Sequence, residues 1–172
     1  MSLSMPGHTI AGLLFGLVVV FAGPTLASEV AMTADWVIIS AGKAFTFKAP
    51  ADTVRYTDGG MAIDSFVRMY RNSQFTLMFD YGQWSNDLSG FKSKPGYVFD
   101  TAEIDGRKAT VVTGPGGNSW GCNDYMSAVY LIVSHSWWSG RTIRLEMSGC
   151  TKDPKNLPLL HKVFESLHFS ES

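Results

Sequence analysis

The sequence has no excess of positive charge: 14 Lys and Arg stand against 15 Asp and Glu in 172 residues. A nucleic-acid binder held by phosphate neutralisation is therefore set aside. Cysteine is scarce. Two residues, Cys122 and Cys150, cannot build a disulfide-rich mini-protein or a zinc site of four thiolates. No GxSxG turn presents a nucleophile, and Gly114-Pro115-Gly116-Gly117-Asn118 is followed by no Lys-Ser/Thr pair, so neither a hydrolase elbow nor a phosphate-binding loop is present. Charge is missing altogether from residues 1–28, and no apolar run reaches the about 20 residues that cross a bilayer. What remains is a chain that is 45% hydrophobic and 13% aromatic, too apolar to stay disordered.

The N-terminus reads as an address. Ile10 to Ala22 is a 13-residue apolar run broken by Gly23-Pro24, and Thr25-Leu26-Ala27 places small residues before a cleavage point after Ala27. This matches a signal peptide over residues 1–27, although its start lacks Lys and Arg. The competing reading is an uncleaved anchor. Residues 28–172 then form a single α+β domain, periplasmic or secreted, with no stable membrane span after cleavage. In an oxidising compartment Cys122 and Cys150 are expected to pair as a structural staple, since CxxC spacing is absent.

Strand alternation dominates the mature chain. Phe45, Phe47 and Ala49 share one face of a run that Pro50 ends. Residues 66–71 and 75–81 flank Asn72-Ser73-Gln74 as a hairpin. Asp105-Gly106 between Tyr97–Ile104 and Arg107–Thr113 is the signature of a type I′ turn. Residues 82–96 and 114–121 read as surface loops. Ala128–Val133 is apolar throughout and belongs at the sheet centre, whereas residues 142–147 alternate and read as a half-buried strand. Leu157, Leu160, Phe164 and Leu167, widened by Leu159 and Val163, fall at helical spacing, with His161, Lys155 and Lys162 on the outer face. One amphipathic helix packed on a mainly antiparallel twisted sheet is the architecture this implies.

Three segments carry a family resemblance: Phe45-Thr46-Phe47-Lys48-Ala49-Pro50, Ile104-Asp105-Gly106-Arg107-Lys108-Ala109 and Val163-Phe164-Glu165-Ser166-Leu167-His168-Phe169. Together they resemble the PsbP/Mog1-like α/β sandwich proteins. The resemblance implies an antiparallel sheet with helices on its faces and a role in binding partner proteins rather than in catalysis. A second long helix, expected of that sandwich, is not visible in the sequence.

Chemistry-bearing residues are sparse. His161 and His168, seven residues apart, do not share a metal on a helix, which needs i,i+4 spacing. His135 sits between Ser134 and Ser136, but strand neighbours point to opposite faces. Asp58 and Asp64 around Gly59-Gly60 lack calcium-loop spacing. No cofactor and no metal is expected. The tryptophans are the informative feature: Trp36, Trp84, Trp120, Trp137 and Trp138 all follow the N-terminal segment. Pairing of Cys122 with Cys150 is expected to gather Trp120, Tyr125 and Trp137 or Trp138 at one end of the sheet, with Asp124 and His135 as polar neighbours. These rings either fill a satellite core or form a binding surface. The expected function is an exported, non-catalytic domain that binds an envelope or secreted protein through this patch, immunity- or inhibitor-like in one form. The alternatives are a small-molecule or glycan site with stacking tryptophans, and a hydrolase centred on His135 and Asp124.

Overall fold

The computed structural model describes residues 35–62, 65–117, 122–136 and 138–170. The segment read from the sequence as a signal peptide, Trp120 and Trp137 lie outside them. Among the described residues, ten strands and one α-helix follow in order: β1 (Trp36–Ser40), β2 (Phe45–Pro50), β3 (Val54–Ala62), β4 (Ser65–Arg71), β5 (Thr76–Gly82), β6 (Val98–Ile104), β7 (Arg107–Pro115), β8 (Tyr125–His135), β9 (Thr142–Thr151), α1 (Leu157–Glu165) and β10 (His168–Phe169). They build a seven-stranded sheet of order β3-β4-β5-β9-β8-β7-β6 and a three-stranded sheet of order β1-β2-β10. Every pairing is antiparallel. The α+β architecture with a C-terminal helix on the sheet is the one the periodicities imply. The hairpins are also where the turn residues put them. Asp105 and Gly106 both adopt positive φ, 50° and 71°, as a type I′ turn requires.

One face of the large sheet carries the main core. Leu145 and Met147 of β9, Val129 and Leu131 of β8, and Leu77 and Phe79 of β5 meet Phe45, Phe47 and Ala49 of β2 and the apolar stripe of α1. Directly opposed residues in an antiparallel ladder share a face. One such row runs Tyr70, Leu77, Gly149, Ser127, Thr113 and Val98. The helix sits on the glycine of this row: a Cβ at Gly149 would overlap both terminal methyls of Leu160. Leu159, Leu160, Val163 and Phe164 are the buried helix residues, as their spacing predicts. Asp153 caps the preceding turn by accepting from Lys155 N–H, and Pro158 falls in the first turn of α1, where no N–H is needed.

The three segments that carry the resemblance converge on one corner. Phe45 packs against Phe169 with ring centroids 5.7 Å apart. The Asp105 carboxylate accepts from Phe169 N–H and His168 Nδ1, each at 2.9 Å. The Phe169 N–H, reinforced by His168 and Arg107, holds the Asp105 carboxyl below its ordinary range.

Three readings are corrected. β9 is buried on both faces, not one: Glu146 is 1% exposed and Ser148 7%, because the β5–β6 connection lies over the second face, where its Leu88 and Phe91 pack on Val112, Met126 and Ala128 of β7 and β8. His161 is not on the outer face either. Its Nε2 lies 3.0 Å from Ser127 Oγ and 3.2 Å from Thr113 Oγ1, pointing into the sheet. His168 is on β10 rather than α1, so the two histidines share no helix. Gly149→Ala should cost about 1–3 kcal/mol through overpacking against Leu160. Urea denaturation measures this, and an unchanged midpoint would mean that the helix does not bear on β9.

Candidate functional site

β8 decides where the predicted site residues go. It begins at Tyr125 and ends at His135. Ten steps of about 3.3 Å separate these residues by roughly 33 Å. The single patch expected from the sequence is therefore two surfaces at opposite ends of the sheet. The physical reason is the direction of β9. The Cys122–Cys150 bridge, with Cα atoms 5.5 Å apart, anchors the end of β9, where Cys150 pairs with Met126. Trp138 belongs to the hairpin before β9 starts, where Thr142 pairs with His135. An enzyme reading that joins Asp124 to His135 loses its constellation for the same reason.

At the disulfide end, Cys122 is buried, Asp124 is exposed and Tyr125 is 41% exposed. A polar hollow of about 380 Å³ adjoins them, lined by Asn72, Gln74, Asp124, Thr151, Lys152 and Asn156. Its walls are tied together: Asn72 Oδ1 accepts from Gln74 and Phe75 N–H, and Thr151 Oγ1 donates to the Gln74 carbonyl. These groups satisfy one another.

The hairpin end differs in kind. Trp138 is completely exposed, Trp84 is 77% exposed and Ile132 50%. Gly82, Arg144 and Ile132 are directly opposed across β5, β9 and β8, and Trp84 follows Gly82 by two residues. Trp138 sits in the β8–β9 turn, closed by Ser136 N–H to the Arg141 carbonyl and Gly140 N–H to the Ser136 carbonyl. His135 Nδ1 lies 2.7 Å from Thr142 Oγ1, so this histidine ties the base of the turn. Arg144 Nη1 donates to the Gln83 carbonyl and fixes the start of the loop that carries Trp84.

Two acidic groups, Glu146 buried and Asp80 half-buried, escaped the sequence reading. Asp80 and Glu146 face each other across β5 and β9 beneath the loop 83–91. Both looked like solvent-side members of alternating strands. The Leu88 and Phe91 pair was the signal that this loop covers the sheet. Burial, followed by the negative charge of Asp80, pushes the Glu146 carboxyl up to about 7. Burial also raises Asp80.

A third feature is a cleft of about 540 Å³ between α1 and the β6–β7 edge, lined by Val98, Ala102, Ile104, Val111, His161 and Phe164. Its origin is dimensional. Seven strands span about 29 Å, more than one helix and a narrow second sheet cover. The Ser127–His161 contact has nucleophile–base spacing, but Ser127 is fully buried and its hydroxyl lies 3.3 Å from the Val112 carbonyl it donates to. It anchors the helix and is closed to a substrate. Among the described residues, no group of three or more His, Cys, Asp or Glu is arranged to hold a metal, and no helix is long and apolar enough to cross a membrane.

Fold and surfaces together define a mainly antiparallel α+β domain, stapled by one disulfide, with exposed tryptophans at the end opposite the staple. No protein-family model and no curated protein matches the chain. Solved structures similar to it include the following two. One is the solution structure of the cyanobacterial PsbP protein CyanoP from Synechocystis sp. PCC 6803, 13% identical, covering 86% of this chain and 99% of that one with a TM-score of 0.47. The other is the crystal structure of LpqN, a protein involved in cell envelope biogenesis of Mycobacterium tuberculosis, 10% identical, covering 81% of this chain and 92% of that one with a TM-score of 0.42. No functional residue is taken from either protein.

Replacing Cys122 and Cys150 by Ser should cost roughly 3–4 kcal/mol, the chain-entropy value for a loop of this length. Equilibrium denaturation reads it, and a loss below about 1 kcal/mol would show that the bridge closes little unfolded-state freedom.

Proposed function

We propose that this chain is an exported, non-catalytic binding domain that engages a protein of the cell envelope through its hairpin end, with Trp84, Ile132 and Trp138 as the apolar centre and Arg141 on the rim. The observation that carries this reading is the exposure of two tryptophans on one end of the sheet. Isolated exposed apolar residues are ordinary, but large aromatics are usually well buried. Exposed aromatic patches with a polar rim mark interaction sites, and Trp and Arg dominate interface energetics. Export is supported by the apolar, uncharged N-terminal sequence and by the disulfide, a bond of oxidising compartments.

Each tryptophan, buried at a partner's surface, should contribute about 2 kcal/mol, or about 30-fold in affinity. The test is capture from the native envelope fraction with the wild-type domain, the Trp84→Ala/Trp138→Ala variant, and Tyr125→Ala as an opposite-end control. The double variant should keep its circular dichroism and thermal midpoint and lose the captured protein, while the control retains it. Retention by the double variant would refute the reading.

A second reading rests on the cleft beside α1, whose volume and apolar lining suit a small molecule or a glycan fragment. None of the described tryptophans lines it, so recognition there would rest on apolar contact with Val98, Ala102 and Val111 rather than on a stacking ring. Cell-wall fragments should shift the NMR resonances of Val111 and His161. Resonances that stay fixed at millimolar ligand would remove this reading.

A further inference from the structure

Glu146 is the most deeply buried ionisable side chain described, 1% exposed, and it stands directly across the ladder from Asp80. Opposed residues of this kind hold their Cβ atoms about 5 Å apart on one face. Each carboxyl has one oxygen, Asp80 Oδ1 and Glu146 Oε2, that is buried and takes no hydrogen bond from the described residues. Two ionised carboxylates so placed would repel in a medium that screens poorly. A single proton between them removes the repulsion and fills an empty acceptor position.

The surroundings define what else acts on the pair. From the covering loop, the Asn86 main chain hydrogen-bonds Glu146, and Asp87 is engaged with Ser89. From β4, the Ser65 hydroxyl hydrogen-bonds Asp80. From β8, Tyr130 opposes Glu146. Along β9, the Arg144 guanidinium is directed to the carbonyls of Gln83 and Thr142 and Ser148 is uncharged. The loop is fastened to the same strands. Ser85 Oγ lies 2.9 Å from the Asp80 carbonyl and 3.3 Å from that of Arg144, and Leu88 is fully buried in a left-handed conformation, φ 63°.

We propose that Asp80 and Glu146 share one proton and act together as a latch on the loop 83–91, closed while the proton is held and loosened when it is released to solvent, so that the presentation of Trp84 responds to pH. With the proton, the Glu146 O–H donates to an Asp80 oxygen and the pair carries one negative charge. Without it, two negative charges face each other beside Ser85 and Asn86 of the loop, and the loop lifts to admit water. The Glu146 carboxyl, raised to about 7 from an ordinary 4.5, sets the window. A carboxyl raised in the folded state contributes full stability below its unfolded value, and that contribution is lost as pH rises through the folded value. The closed loop therefore weakens towards pH 7 and stays weak above it.

The role assigned to Trp84 rests on the proposed binding surface; the latch itself is tested without any partner. In the purified protein, the amide resonances of residues 83–91 should titrate with a midpoint near 7. Glu146→Gln should abolish that titration, and Asp80→Asn should move the midpoint down towards the ordinary carboxylate range. His135→Gln should leave it in place, separating it from imidazole titration. An unchanged midpoint in Glu146→Gln would overturn the latch. So would recovery of the low-pH spectrum at pH 8.5, a value chosen about 1.5 units above the midpoint, on adding calcium or magnesium chloride, because the pair would then be a cation seat. Partner capture that is pH-independent while the loop still titrates would overturn only the link to Trp84.

Discussion

β9 runs through the middle of the seven-stranded sheet and must be covered on both faces, and most of the structure follows from how that is done. On one face the cover is a nine-residue helix, drawn close because Gly149 offers no side chain below Leu160. On the other it is an irregular loop pinned by Leu88 and Phe91. A loop is a poorer cover than a helix because its backbone polar groups need partners of their own. Asn86 Oδ1 accepts from Leu88 N–H and Arg144 donates to the Gln83 carbonyl, while the Ser85 hydroxyl fastens the loop to the carbonyls of Asp80 on β5 and Arg144 on β9. The acidic pair is buried by the same act of covering.

The disulfide and the aromatic end are complementary rather than adjacent. Cys122–Cys150 fixes the far ends of the central strands and leaves the β8–β9 turn free to project Trp138 into solvent. A staple placed at the turn itself would have restricted the surface most suited to a partner. Asp105 ties His168 and Phe169 of the small sheet to the β6–β7 turn, and Phe45 of β2 packs on Phe79 and Tyr81 of β5 as well as on Phe169.

Strong local codes were legible in the sequence. Asp105-Gly106 specified its turn because both residues need positive φ. Leu159, Leu160, Val163 and Phe164 specified the buried face of α1 by spacing alone. Pro50 marked the end of β2. Edge strands β1 and β3 were not legible, since Ile38 and Val54 are exposed and alternation is weak where one face meets solvent. The polarity of β9 was misread. Arg144 and Glu146 alternate with apolar neighbours, and alternation reports two different faces without reporting what covers each. The common-end placement of Tyr125 and Trp138 failed because a disulfide reveals which residues meet but not the direction of the strand between them and a third residue.

The central claim is that β9 is a two-sided core strand. Native-state hydrogen exchange tests it most directly. The account predicts that the amides of Leu145 to Ser148 exchange only through global unfolding, with the same free energy as chemical denaturation, whereas those of the edge strand β6 exchange through smaller openings. Exchange of the β9 amides at a free energy well below the global value, in step with β6, would contradict it.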